Sequence, residues 1–154
     1  QNLGAGHPER SIQGVHHAMW IGIGVAVGLG LLFLILPRTL LSVFGMEDPI
    51  VVDLAVELLA YLSVSGVFIT TALAYTGGLQ GTGDTKSPLY ISIVSQVLIP
   101  IGVCAAIQAT GTLEARDIWV AIVLGHMARA VLSMMRFRQA RWRDIKVEIG
   151  TARA

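Results

Sequence analysis

Charge is what this sequence has least of. Asp, Glu, Lys and Arg make up 14% of its 154 residues, against about a quarter in a soluble domain. That shortage excludes a soluble helix bundle, in which each helix keeps a polar stripe facing water. Cysteine is nearly absent too. Cys104 stands alone in an apolar run, which excludes a disulfide or a multi-cysteine metal site within one chain and leaves it a packing role. The histidines, His7, His16, His17 and His126, are not spaced with carboxylates as metal ligands are, so no metal site and no cofactor are expected. Polar residues are too few to assemble a Ser-His-Asp set, so no catalytic residue and no enzymatic activity are expected. No signal peptide is recognised, because neither a basic n-region nor a cleavage site precedes the first apolar run. The opening on Gln1 reads as a chain cut from something longer.

What the chain has instead is apolar length. Hydrophobic residues supply 54% of it, mean hydropathy is +0.69, and the apolar residues gather in runs of roughly 18–25, enough to cross a hydrocarbon core of about 30 Å. The expected fold is an all-α integral membrane protein, a four-helix bundle over 15–138 with spans at about 15–36, 50–76, 89–109 and 118–137. Residues 1–14 read as a polar loop and residues 139–154 as a basic tail. In lipid the backbone must satisfy its own hydrogen bonds, so even the glycine-rich first span is held helical. That span carries two sets of small residues spaced four apart, Gly24 with Gly28, and Gly22 with Ala26 and Gly30. Either set permits close helix approach. Pro37 ends the span.

Polar residues inside the later spans are the candidates for function. Asp53 and Glu57 share one helix face near a membrane edge. They read as an acidic first turn that complements the helix N-terminus, or as a vestibule that attracts cations or protons. Pro100 deletes a backbone hydrogen bond in the third span and should bend it. Gln96 is costly in lipid and should face protein or a water-filled cavity; a helix–helix hydrogen bond is the plainer outcome. His126 and Arg129 lie on neighbouring positions of one face. Arg129 is near enough to an edge to snorkel, or it faces substrate or lipid.

Lys and Arg set the orientation. Alternating across the membrane, one side collects Arg10, Lys86, Arg136, Arg138, Arg141, Arg143, Lys146 and Arg153, and the other collects Arg38 and Arg116. Eight against two puts the N-terminal segment, the 77–88 stretch and the C-terminal tail in the cytoplasm. The expected location is the inner (plasma) membrane, multi-pass, with a cytoplasmic C-terminus. Trp142 beside arginines reads as an interfacial anchor.

The stretch from Gly77 to Pro88 separates the second and third spans, with four glycines in seven residues. It is not a phosphate-binding loop: Lys86 follows Thr85 rather than glycine, and no strand precedes it. Its glycines permit a tight turn, Asp84 and Thr85 can cap the next helix, and Pro88 suits that helix's first turn. The residues Gly78-Leu79-Gln80-Gly81-Thr82-Gly83-Asp84-Thr85-Lys86-Ser87-Pro88 resemble the "G-x-x-R/Q-G-x-G-D-T-R/K-x-P" signature of the multidrug and toxic compound extrusion (MATE) transporters. Gln1-Asn2-Leu3-Gly4-Ala5-Gly6 with Pro8-Glu9-Arg10 is similar to the family's second signature, and Arg136-Phe137-Arg138 with Arg141-Trp142 to the end of its last helix.

The resemblance implies the C-terminal part of such a transporter, helices nine to twelve of twelve, within one six-helix lobe. It implies an antiporter that exports organic, often cationic, compounds against sodium or protons, with two bundles that open alternately around a central cavity. The implied partners are those small molecules, membrane lipid and the missing N-terminal half; no nucleic acid is expected. Many members carry an acid about two turns ahead of the first hinge glycine, where this chain has Phe68-Ile69-Thr70-Thr71. The coupling carboxylates are therefore expected outside this fragment. Thr70, Thr71, Gln96 and His126 are the candidate cavity residues, and the hinge is expected to act structurally. Two other readings stand beside this one: a lipid or polysaccharide flippase of the same superfamily, and a four-helix membrane scaffold or assembly subunit. A small four-helix drug exporter is disfavoured, because the first span has no acid.

Overall fold

The computed structural model describes residues 7–140 and residue 142. Gly4, Gly6 and most of the basic tail lie outside the described residues. The elements are α1 (Pro8–Ile35), α2 (Pro37–Val43), α3 (Pro49–Gly81), α4 (Lys86–Ile93), a π-helical turn (Val94–Leu98), α5 (Ile99–Thr110) and α6 (Ala115–Arg138). No strand occurs among the described residues. Among the described residues, four helical stretches are long and apolar enough to span a membrane: Pro8–Ile35, Pro49–Gly81, Lys86–Thr110 and Ala115–Arg138.

Proline and carboxylate punctuate the helices. Pro8, Pro37 and Pro49 open α1, α2 and α3, where a missing N–H costs nothing. Pro8 with Glu9 starts α1 early, so residues 8–14 are helix rather than loop. Asp48 caps α3 by accepting the Ile50 and Val51 amides at 2.9 and 3.4 Å. At the start of α6 the Glu114 amide donates to Asp117 Oδ2 at 3.0 Å. Asp53 and Glu57, past the first turn of α3, pair instead with neighbouring elements: Asp53 with Arg38 of α2 at 2.7 Å and Glu57 with Arg116 of α6 at 2.6 Å. Each acid is thus engaged by a cation rather than open as a vestibule, and Asp48 does the capping.

The spans pack in a row rather than as a closed bundle. α3 lies mainly against α1 on one side and α6 on the other, and the α4–π–α5 span lies against α6. Apolar side chains therefore remain exposed along the outer faces, Trp20, Ile21, Leu89 and Ile101 among them, as suits surfaces that meet lipid or further protein.

Small residues decide the α1–α3 contact. A Cβ built on Gly22 would lie 3.2 Å from Thr70 Cβ, and one on Gly30 would lie 3.3 Å from both Cβ and the carbonyl oxygen of Ser63. Ala26 sits between them, against Gly66. Ser63 Oγ donates to Gly30 O across the interface at 3.1 Å. A Cβ on Gly24 or Gly28 would meet nothing within 4 Å. Of the two sets spaced alike, only Gly22/Ala26/Gly30 is the seam. Gly30→Val should destabilise the purified protein by about 1–3 kcal/mol, and Gly24→Val should stay within about 0.5 kcal/mol, both read by unfolding in detergent. Equal losses in the two variants would refute this seam.

Pro100 is accommodated by the π turn before it. The Ile99 amide reaches back to Val94 O, and Pro100 has no N–H to give, so neither donor that would normally serve Ser95 O is available to it. That carbonyl faces α6 at Gly125, where a Cβ would collide with it and come within 3.1 Å of Pro100 Cγ. The expected bend is thus realised as a local widening of the helix, matched by a glycine on the neighbour.

Candidate functional site

At the end of the molecule that holds the 77–88 stretch, a polar junction sits beside a buried apolar cluster. Helix α3 continues through Gly77, Gly78 and Gly81, so these are helical residues and not turn residues. The turn is confined to Thr82–Thr85. Gly83 has φ +93°, its amide donates to Gln80 O at 3.0 Å, and the Asp84 amide donates to Leu79 O at 3.0 Å. This pairing closes a helix C-terminus with a left-handed glycine. Thr82 Oγ1 adds a bond to Leu79 O at 2.7 Å.

Gly78 serves close approach instead: a Cβ there would lie 2.7 Å from Val15 Cγ2 and 3.0 Å from Phe137 Cε2. α1, α3 and α6 therefore meet at one point. Beside it Tyr75, Leu79, Phe137 and Trp142 form a buried cluster, flanked by Ile12, Val15, Met19 and Met134. Trp142 is 1% exposed, stacks on Phe137 at 5.1 Å and donates Nε1–H to Phe137 O at 2.8 Å. It is a core residue and not the interfacial anchor expected, because the chain turns back through Ala140 (φ +57°) after α6.

Asp84 joins three helices. Its Oδ1 accepts the Ser87 amide at 3.1 Å, which caps α4, and its Oδ2 accepts Ser87 Oγ at 2.8 Å. The same Oδ2 accepts Nε and Nη2 of Arg136, from the last turn of α6, at 3.0 and 2.9 Å. Thr85 contributes no side-chain cap. The Asp84 side chain is 7% exposed and that of Arg136 26%. Burial pushes the carboxyl upward, but the bonds from Ser87 and the Arg136 guanidinium outweigh it and hold the group below the usual carboxylate range. Sequence reasoning counted Arg136 among the tail cations; nothing in a spacing of 52 residues marks it as the partner of Asp84.

The four cavity candidates fall in two places. Thr70 faces Gly22 of α1, and its hydroxyl turns back to Gly66 O and Val67 O at 3.0 and 3.2 Å. Thr71 likewise donates to Val67 O at 2.8 Å. Gln96 lies on the π turn, its Nε2 beside Gly125 of α6, and His126 follows directly. Gln96 Nε2, His126 Nδ1 and Arg129 Nε are all buried without a hydrogen-bond partner among the described residues. The helix–helix hydrogen bond expected of Gln96 is thus not made through its amide nitrogen. Arg129 opens into a groove of about 460 Å³ with Thr76 and Gln80 of α3 and Thr85, Lys86 and Ser92 around α4. Among the described residues no cluster of His, Cys, Asp or Glu could hold a metal ion.

Comparison with known proteins supplies the decisive observation: the MatE family model matches residues 1–105. The chain belongs to the MatE family. With four membrane-length apolar helices, this MatE chain is a multi-pass membrane protein. Relatives include "Probable multidrug resistance protein NorM" of Mesorhizobium japonicum, 30% identical over 144 residues, covering 87% of this chain and 30% of that protein. The NorM protein of Deinococcus radiodurans is 29% identical over 113 residues, covering 68% of this chain and 25% of its own length. "Multidrug resistance protein MdtK" of Pectobacterium atrosepticum is 25% identical over 140 residues, covering 88% and 30%. The MatE chain therefore spans between a quarter and a third of the length of these relatives. No solved structure matches it significantly.

Proposed function

We propose that this chain forms helices nine to twelve of a twelve-helix MatE transporter, and that the whole protein exports organic, predominantly cationic compounds by antiport against sodium or protons. The observation that carries the reading is the family match over residues 1–105, reinforced by relatives named for multidrug resistance. The charge asymmetry of eight Lys and Arg against two supports a cytoplasmic 77–88 turn and C-terminus, in the inner membrane.

The chain's part in transport is to hold and move a helix group. Asp53 and Glu57 are paired at one edge and Asp84 at the other, and residues 58–83, 87–113 and 118–143 contain no Asp or Glu. This supports a coupling site outside the chain. Gln96 and His126, each with a buried nitrogen lacking a partner, are the residues proposed to face the cavity, with Thr70 and Thr71 lining it less directly. The Asp84 junction ties the helices so that they move as one body.

The test uses inside-out vesicles carrying the full-length protein and a fluorescent organic cation. An imposed outward sodium or proton gradient from the vesicle lumen should drive uptake of the dye, and collapsing that gradient should release it. Uptake indifferent to both gradients would rule out antiport.

A further inference from the structure

The cations of this chain are not all accounted for. Arg38, Arg116 and Arg136 each sit in an ion pair. Lys86 and Arg129 do not, among the described residues, and both line the same groove between the end of α3, the start of α4 and α6. No carboxylate lines it. Asp84, adjacent in sequence, is already taken by Ser87 and Arg136.

Arg129 Nε is buried with no acceptor, and a guanidinium donor withdrawn from water without a partner is costly. Thr85 makes no capping bond through its side chain and stands at the N-terminus of α4, where the helix dipole adds positive potential. With the hydroxyl of Ser92 and the amide of Gln80, the lining supplies polar donors beside two cations, a set that suits an oxyanion.

The groove is also placed at a boundary. α3 ends and the Lys86–Thr110 span begins beside it, so it opens at the edge of the apolar region. Arg129 lies nine residues before the end of α6, about 13 Å along the helix, within reach of that edge through the groove. Pro88 and Leu89 form an apolar wall, and the apolar surface continues outward over Leu89 and Tyr90, 58% and 65% exposed. A ligand charged at one end and apolar at the other uses both features, whereas a free anion uses only the first. We propose that this groove holds the phosphate headgroup of an anionic phospholipid, with its acyl chains along the Leu89–Tyr90 face of α4.

The full-length protein, purified in mild detergent, is titrated with phosphatidylglycerol or phosphatidylcholine and bound lipid is counted by native mass spectrometry. Each cation close to an anionic headgroup contributes about a factor of five, so phosphatidylglycerol should bind about 30-fold more tightly than phosphatidylcholine. K86Q and R129Q should each lower that preference about fivefold, and the double variant should abolish it. R38Q, at the opposite edge, should leave it unchanged, and millimolar inorganic phosphate should displace no lipid. Equal binding of the two lipids by the parent, or an undiminished preference in the double variant, overturns the proposal. Displacement by inorganic phosphate assigns the groove to a free anion and overturns the lipid source. If R129Q is not recovered folded, exposed Lys86 decides alone: an unchanged preference in K86Q overturns the proposal.

Discussion

Replacing Asp84 by alanine should cost this protein about 3–5 kcal/mol, the range for breaking a buried ion pair by removing one partner. The lower half of that range applies to the pair itself, because the Arg136 side chain keeps 26% of its exposure and part of its hydration. Loss of the α4 cap on the Ser87 amide adds about 1 kcal/mol. Asp84→Asn should retain part of the cap and lose the charge, so it should fall between the parent and alanine. Arg136→Ala should cost less than Asp84→Ala, since the carboxylate would keep both Ser87 bonds. The order is read from unfolding midpoints of the purified full-length protein; Arg136→Ala as the more damaging change would overturn the assignment of Asp84 as the hub. In transport assays Asp84→Ala should reduce turnover with substrate affinity nearly unchanged, because the residue ties helices and lines no cavity proposed for substrate.

The same carboxylate sets a pH dependence. Its folded-state pKa lies below the ordinary value, so its contribution is complete above the unfolded carboxylate pKa of about 3.9. It is lost as pH falls through the still lower folded value. Asp84 should therefore leave stability flat across neutral pH and contribute to acid unfolding only below about pH 4. The midpoint difference between parent and Asp84→Asn should accordingly shrink as the solution is acidified into that range.

The second large effect is expected at Gly125. A Cβ there would collide with the backbone carbonyl of Ser95. A side chain can rotate aside, but this carbonyl is fixed by the π turn and by Pro100 behind it. Gly125→Ala should cost at least about 3 kcal/mol, the upper end for overpacking, and Gly125→Leu should prevent α6 from docking. Gly102 is the control: it lies on α5 with nothing within 4 Å of its would-be Cβ, and alanine there should be neutral or slightly favourable to the helix. Comparable losses at the two glycines would show that helix propensity, and not the contact with Ser95, governs position 125.

Much of the fold could be read from composition and punctuation. Apolar runs marked the four spans, Pro37 marked the end of the first, and Asp84 was a foreseeable cap for α4. Spacing alone could not separate Gly22/Ala26/Gly30 from Gly24/Gly28, because the two sets are periodic alike and only the partner's surface tells them apart. Glycine density suggested a wide hinge at 77–83, yet membrane helix tolerates glycine, and α3 runs to Gly81. Of the glycines in this stretch only Gly83, with its positive φ, behaves as turn glycine. Trp142 was misjudged because its arginine neighbours suggest a membrane interface, whereas its ring is held by Phe137. The pairing of Asp84 with Arg136 and the shared groove of Lys86 and Arg129 are long-range facts, settled by how α6 lies against α3 and α4.

That placement of α6 has a consequence for how the molecule is made. The α3 helix and the span that follows it are joined by four residues, yet α6 lies between them along much of their length. At ribosomal speeds of roughly 5–20 residues per second, Arg136 leaves the ribosome about 3–10 s after Asp84. During that interval Asp84 has no Arg136 to meet and Ser95 O no Gly125. The earlier helices must stay separable in the bilayer until the last one arrives, and a hairpin that closed too soon would exclude it.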